Sequence, residues 1–232
     1  MNPASASAGL FGAPQTVSRA SGGLNTAIGY WYHEDTYENG IEHEFRQNQI
    51  YSQAAYGAKN IWEIYARVGI SDLKIPDVFR SADADIVGGK KDFEENWEFF
   101  GTLGAKAYYP VSNIFGAGAF IQGTYFFSHF TDNVSGVSGG VPFTTDMKIK
   151  HLRDINCGVA VQATVPLGIR LYAGPYLYYS EAEVSPSYNI AGLGYGTGHV
   201  TVENKSIVGG FAGMDMPLMK GFRLNVEGQY SD

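Results

Sequence analysis

From Trp62 to Ser71 the chain alternates without a break. Trp62, Ile64, Ala66, Val68 and Ile70 fall on one side, and Glu63, Tyr65, Arg67, Gly69 and Ser71 on the other. A period of two over such a length demands a β-strand with one apolar and one polar face. The split recurs. Trp97, Phe99, Gly101, Leu103, Ala105, Ala107 and Tyr109 oppose Glu98, Phe100, Thr102, Gly104, Lys106 and Tyr108. It returns at 155–164 and again at 222–230. With weaker segments the pattern predicts about nine strands, at 24–37, 42–57, 61–74, 96–109, 115–130, 147–165, 168–182, 199–216 and 221–231. Several exceed the usual five or six residues and match the roughly 9–11 needed to cross a bilayer at a tilt.

Which face points inward is decided by the charges. The non-apolar faces hold Glu63, Arg67, Glu98, Lys106, Asp154, Arg170, Asp215, Arg223 and Glu227. Enclosed in a lumen, charges of both signs pair; facing lipid, each Arg or Lys at the midplane costs about 2–4 kcal/mol. The apolar faces carry aromatics at their ends. Tyr30, Tyr32, Trp97, Phe99, Tyr125, Phe127 and Tyr179 lie toward one end, and Trp62, Tyr109, Phe115 and Phe222 toward the other. Ala, Gly and Val fill the middles, where a soluble sandwich or barrel, the competing reading, places its largest residues. Two belts of amphipathic rings suit the two interfaces of a membrane. The expected fold is therefore all-β: an antiparallel, up-and-down transmembrane barrel over residues 23–232. With eight to ten strands its side chains fill the interior more readily than they line an open path.

Composition removes other classes. No run approaches the roughly 18 apolar residues of a spanning helix. A mean hydropathy of −0.14 does not argue against a barrel, whose two faces average out. A net charge of −7 disfavours nucleic acid as a partner. Cys157 is the only cysteine, so no disulfide forms within the chain. Residues 1–22, small and polar, read as a periplasmic N-terminal leader or tail. Met1–Ser5 has no basic or apolar region of a signal peptide, so a mature or recombinant chain with an added Met1 is expected. Connections alternate after a tight Asn39-Gly40 hairpin: 58–60, 110–114, 166–167 and 217–220 are short, and 75–95, 131–146 and 183–198 are long. Short periplasmic turns and long extracellular loops put the N-terminus in the periplasm and the first strand running outward.

The alternation at 62–71, the aromatic strand ends and the loop rhythm together resemble the small porin-like outer-membrane barrels of Gram-negative bacteria. The resemblance spans residues 24–231. It implies a cell-envelope location in contact with outer-membrane lipid, with other envelope proteins as partners and no cofactor. It carries no catalytic motif. The function it implies is non-catalytic: a structural barrel, or a narrow channel with acidic extracellular loops. A membrane-embedded subunit of a surface or export assembly is the alternative, and a rim hydrolase using His33, Asp35 and Asp72 comes last. Nine strands cannot close an even-numbered barrel, so a tenth, returning strand is expected. A contact from residues 1–22, a parallel seam between first and last strands, or a miscount at 42–57 are the other ways out. His33, His43, His129, His151 and His199 fall toward the proposed outer rim, where they are weak metal candidates; no His-x-x-x-His spacing supports a site.

Overall fold

The computed structural model describes residues 10–16, 22–38, 40, 42–59, 61–79, 84–218 and 221–231. Among them it is all β. The strands are β1 (Gly23–Glu38), β2 (Glu42–Ala58), β3 (Trp62–Ile75), β4 (Ala84–Ile86), β5 (Phe93–Pro110), β6 (Phe115–Phe126) and β7 (Phe130–Ser138). They continue with β8 (Val141–Val165), β9 (Ile169–Ile190), β10 (Gly194–Thr197), β11 (Val200–Asn204), β12 (Val208–Pro217) and β13 (Arg223–Ser231). Two single 3-10 turns, Val87–Gly89 and Pro166–Gly168, are the only helical elements among the described residues.

Every ladder is antiparallel, and the main strands follow one another up and down: β1–β2–β3–β5–β6–β8–β9. At one end the pairings form a circuit. The outer half of β9 pairs β11 (Val184↔Val200), and β11 pairs β1 (Tyr37↔Asn204), so the sheet curls back to its first strand. At the other end the first half of β9 pairs β12, β12 pairs β13, and there the succession stops. The segment 42–57 is a full strand, Glu42–Ala58, paired on both sides, which removes a miscount there.

Three expectations are corrected. The stretches 131–146 and 183–198 are not loops. β7 and β8 form a hairpin turned at Gly139 (φ +58°) and Gly140 (φ +83°), and β10 folds back on β9. Successive positive φ angles at a two-residue turn match the twist of the flanking strands. Within the second stretch, Gly194–Thr197 supplies β10. The predicted strand 199–216 is split at 205–207 into β11 and β12, which pair different stretches of β9. The Asn39-Gly40 turn lies partly outside the described residues. The Glu38↔Glu42 pair and Gly40 (φ +96°) show a connection over 39–41. Residues 1–9, 17–21, 60 and 219–220, which belong to the predicted tail and short turns, lie outside the described residues as well.

One face of the curled sheet is buried and the other exposed, with an unusual division of chemistry. Exposed are Ile28 (78%), Val68 (66%), Leu103 (73%) and Val161 (67%), while Glu63 (1%), Arg67 (4%), Gln162 (1%) and Asp215 (0%) are buried. Two apolar clusters also occupy the interior. One, near the circuit end, gathers Tyr37, Phe45, Phe100, Phe126, Phe130 and Ile149. The other forms around Phe11, which stacks on Phe120 at 4.1 Å and meets Tyr176 and Phe211 edge-on or tilted.

Candidate functional site

Phe11 belongs to the segment read from sequence as a tail, yet residues 10–16 lie inside the curled sheet. Its anchors come from four strands. Glu227 of β13 accepts the Phe11 and Gly12 backbone N–H groups at 3.0 and 2.9 Å. Gln162 of β8 accepts the Gln15 N–H and donates to the Gln15 side chain, both at 3.1 Å. Lys106 of β5 donates to Ala13 O and Arg170 of β9 to Gln15 O, each at 3.4 Å. A short irregular segment has no ladder of its own, so its buried backbone must find side chains, and these four supply them.

The nine residues predicted as an interior charge network fall into separate groups. Lys106 and Glu63 form a buried pair at 3.3 Å, and Asn25 donates to the second Glu63 oxygen at 3.1 Å. Asp215, fully buried, takes Arg223 by a short contact and Arg170 at 3.8 Å. Arg67 donates to Gln53 at 2.7 Å, and its guanidinium lies over the Tyr51 and Tyr65 rings, 4.9 and 4.8 Å from their centroids. Glu227 serves the N-terminal segment and also accepts from the Tyr172 hydroxyl at 2.9 Å. Glu98 is half-buried opposite Ser71, above these groups. Asp154 stands apart. Its carboxylate takes the Ser180 hydroxyl, which also meets Tyr37, in a small cavity of about 40 Å³ shared with His33, Gln122 and Tyr178.

The predicted belt residues Tyr30, Tyr32, Trp62, Trp97, Phe99, Tyr109, Phe115, Tyr125, Phe127 and Phe222 are all exposed on the outer face, and Tyr179 is half-exposed beneath Glu181. The histidines do not converge. His33 Nε2 is 4.0 Å from Asp35, His199 pairs Glu183 at 3.1 Å, and His129 and His151 meet edge to face at 6.0 Å. No group of three or more metal-ligating side chains occurs among the described residues. Asp72 accepts two hydrogen bonds from Asn48 on the outer face, whereas Asp35 is buried on the inner one. The three residues weighed as a hydrolase site are therefore divided between faces.

Sequence reasoning put Tyr65 and Tyr108 on the inward face but gave the interior tyrosines no role. The Tyr65 ring lies flat on the neighbouring strand where Gly104 offers no Cβ: an added methyl there would sit 2.3 Å from the ring. Tyr172 covers Gly213 in the same way. The pairing of inward Tyr with a cross-strand Gly was the available signal. No protein-family model, curated protein or solved structure matches the chain significantly.

Proposed function

We propose that this chain is a non-catalytic outer-membrane β-barrel of a Gram-negative bacterium, closed by its own contents and structural in role. The observation that carries the reading is the inverted division of chemistry, with aliphatic residues outside and ion pairs inside. A soluble protein does not expose a contiguous apolar girdle of this size without covering it. In hydrocarbon the arrangement is the favourable one. The dimensions agree. The eleven residues from Phe99 to Tyr109, rising about 3.3 Å each and tilted about 40°, span about 25 Å, the height of the apolar band of such barrels. Outward-facing ion pairs such as Arg46–Glu34, Lys74–Glu94 and Arg153–Glu181 sit beyond one end of that band. That asymmetry suits short turns on the periplasmic side and an elaborated extracellular side.

The N-terminal segment across one end and the aromatic cluster at the other support a filled interior over a conducting one. Reconstitution tests both halves of the reading. The protein should fold only in detergent or lipid, and planar bilayers containing it should carry no single-channel steps. Steady steps would replace the closed barrel by a channel. A folded monomer in detergent-free buffer would remove the membrane altogether.

A further inference from the structure

Beyond the aromatic belt the outer surface changes its chemistry twice. First come charged side chains, among them Lys150 and Arg153 of β8 against Glu183 and Glu181 of β9. Past them the β7–β8 and β9–β10 hairpins lose their charge altogether. Residues 133–145 and 184–198 contain no Asp, Glu, Lys, Arg or His, in a chain of which 17% is charged. Asp146, His199 and Asp85, which lies opposite Val137 on β4, mark the border. Four strands carry this region in antiparallel register, β7–β8–β9–β10. Ser135 is opposite Thr144, Thr144 opposite Asn189, and Asn189 opposite Tyr195. Phe130 and Ile149, both 0% exposed, fix the inward positions of β7 and β8, and alternation from them puts the row on the outer face. With strands about 4.8 Å apart the row is about 14 Å long. Ser135 and Thr144 bond each other at 3.2 Å. Tyr195 closes the row and is 70% exposed. Its strand is held in place, because the Tyr188 ring lies on Gly196, where an added Cβ would sit 2.3 Å from it.

We infer that this row is a binding surface for a neutral glycan, a chain of uncharged hexoses. It takes from the membrane reading only the side on which it stands, outside the cell; the surface meets water on either account. The chemistry selects the partner. A sugar ring offers hydroxyls around its rim and C–H groups on its faces. Ser and Thr hydroxyls both donate and accept, and an Asn amide does each at a different atom, so Ser135, Thr144 and Asn189 match the rim. An exposed tyrosine ring matches a face, and with two torsions to fix it does so at low conformational cost. Charged polymers fit poorly. Nucleic acid, and glycans bearing sulfate or carboxylate, are held by Lys and Arg, and the two hairpins have none here. A protein partner brings charge on about a quarter of its residues, and against these hairpins that charge would find no counterpart.

The test uses the full chain in phosphatidylcholine nanodiscs, which leave both ends of the protein open to solution. Immobilised dextran and galactomannan are the neutral probes, and heparin is the charged one. The chain should bind a neutral glycan, and raising the salt, which screens exposed charges, should leave the affinity unchanged. Tyr195→Ala should weaken binding about tenfold, Tyr195→Phe should keep it, and Thr144→Val should reduce it. Preference for heparin, or binding lost at high salt, overturns the inference. So does equal binding by Tyr195→Ala. Failure to bind either neutral glycan overturns it as well, and leaves the surface to a protein partner. The membrane reading is checked separately in a Cys157→Ser background. A water-soluble, membrane-impermeant maleimide should leave Leu103→Cys unlabelled. Labelling there means that the membrane reading has failed, whatever the glycans do. Protection there with no neutral glycan bound means that the glycan surface alone has failed.

Discussion

Glu227 carries more of the interior than its position near the chain end suggests. Its two oxygens accept two backbone N–H groups of the N-terminal segment and one tyrosine hydroxyl. Each buried donor left without an acceptor costs about 1–3 kcal/mol, so Glu227→Ala should destabilise by at least that much and expose the Phe11 and Gly12 amides to exchange. Phe11→Ala removes the ring at the centre of one apolar cluster, at about 3–5 kcal/mol. The two losses should not add, because both release the same segment. A double-mutant cycle on unfolding free energies in lipid measures the shortfall. The Glu63–Lys106 pair allows a different prediction. Removing one partner of a buried pair strands the other and costs about 3–5 kcal/mol, while replacing both is far cheaper. Lys106→Met should therefore be severe, and Glu63→Gln/Lys106→Met should recover most of the loss.

At the scale of elements, the connection between β3 and β5 is held at its base by Asp92. Its carboxylate accepts the Asp77 N–H at 3.0 Å and pairs Lys74 at 2.9 Å. The Asp77 hydrogen bond first, and Lys74 second, hold it below the usual aspartate range. A carboxyl depressed by folding adds stability that is present above its unfolded value, about 3.9, and fades as pH falls through the lower folded one. The Asp77 amide should then exchange faster, beyond the intrinsic trend, only below about pH 4, and Asp92→Asn should remove that step. How far such elements could be read from sequence depended on what each face touches. β3 and β5 were legible because one face is exposed and largely apolar and the other lines the ionic interior, so the two alternate residue by residue. The β7–β8 and β9–β10 hairpins were not. Phe130, Val134 and Ile149 reach the apolar cluster, but the Thr, Ser, Asn and Gly between and beyond them break the alternation that would have marked a strand. The N-terminal segment was hidden for a related reason. Only Leu10 and Phe11 are large among small neighbours, and its partners Gln162, Lys106, Arg170 and Glu227 lie far along the chain. The charges themselves were legible as inward, but not their sorting into pairs, because register across the interior leaves no trace in local spacing.

For the whole molecule the question is what surrounds it, and one series of substitutions asks that directly. Leu103 is 73% exposed and lies midway between the rings of Phe99 and Tyr109 on β5. On a water-exposed surface, changing such a residue to arginine alters stability by about 0.5 kcal/mol or less in either direction. On a lipid-facing surface the cost depends on depth, about 2–4 kcal/mol at the midplane and about 0–1 kcal/mol near the interfaces. Leu103→Arg should therefore be costly, Phe99→Arg and Tyr109→Arg should lose less to charge burial, and Ile155→Arg on β8, which the register sets level with Leu103 across Gly123, should behave like Leu103→Arg. Guanidinium unfolding in phosphatidylcholine vesicles gives the four values. A hump centred on Leu103 and Ile155 locates the middle of the bilayer on the strands themselves. A flat profile near zero would mean that water reaches the outer face everywhere, and the inward ion pairs would then need another explanation.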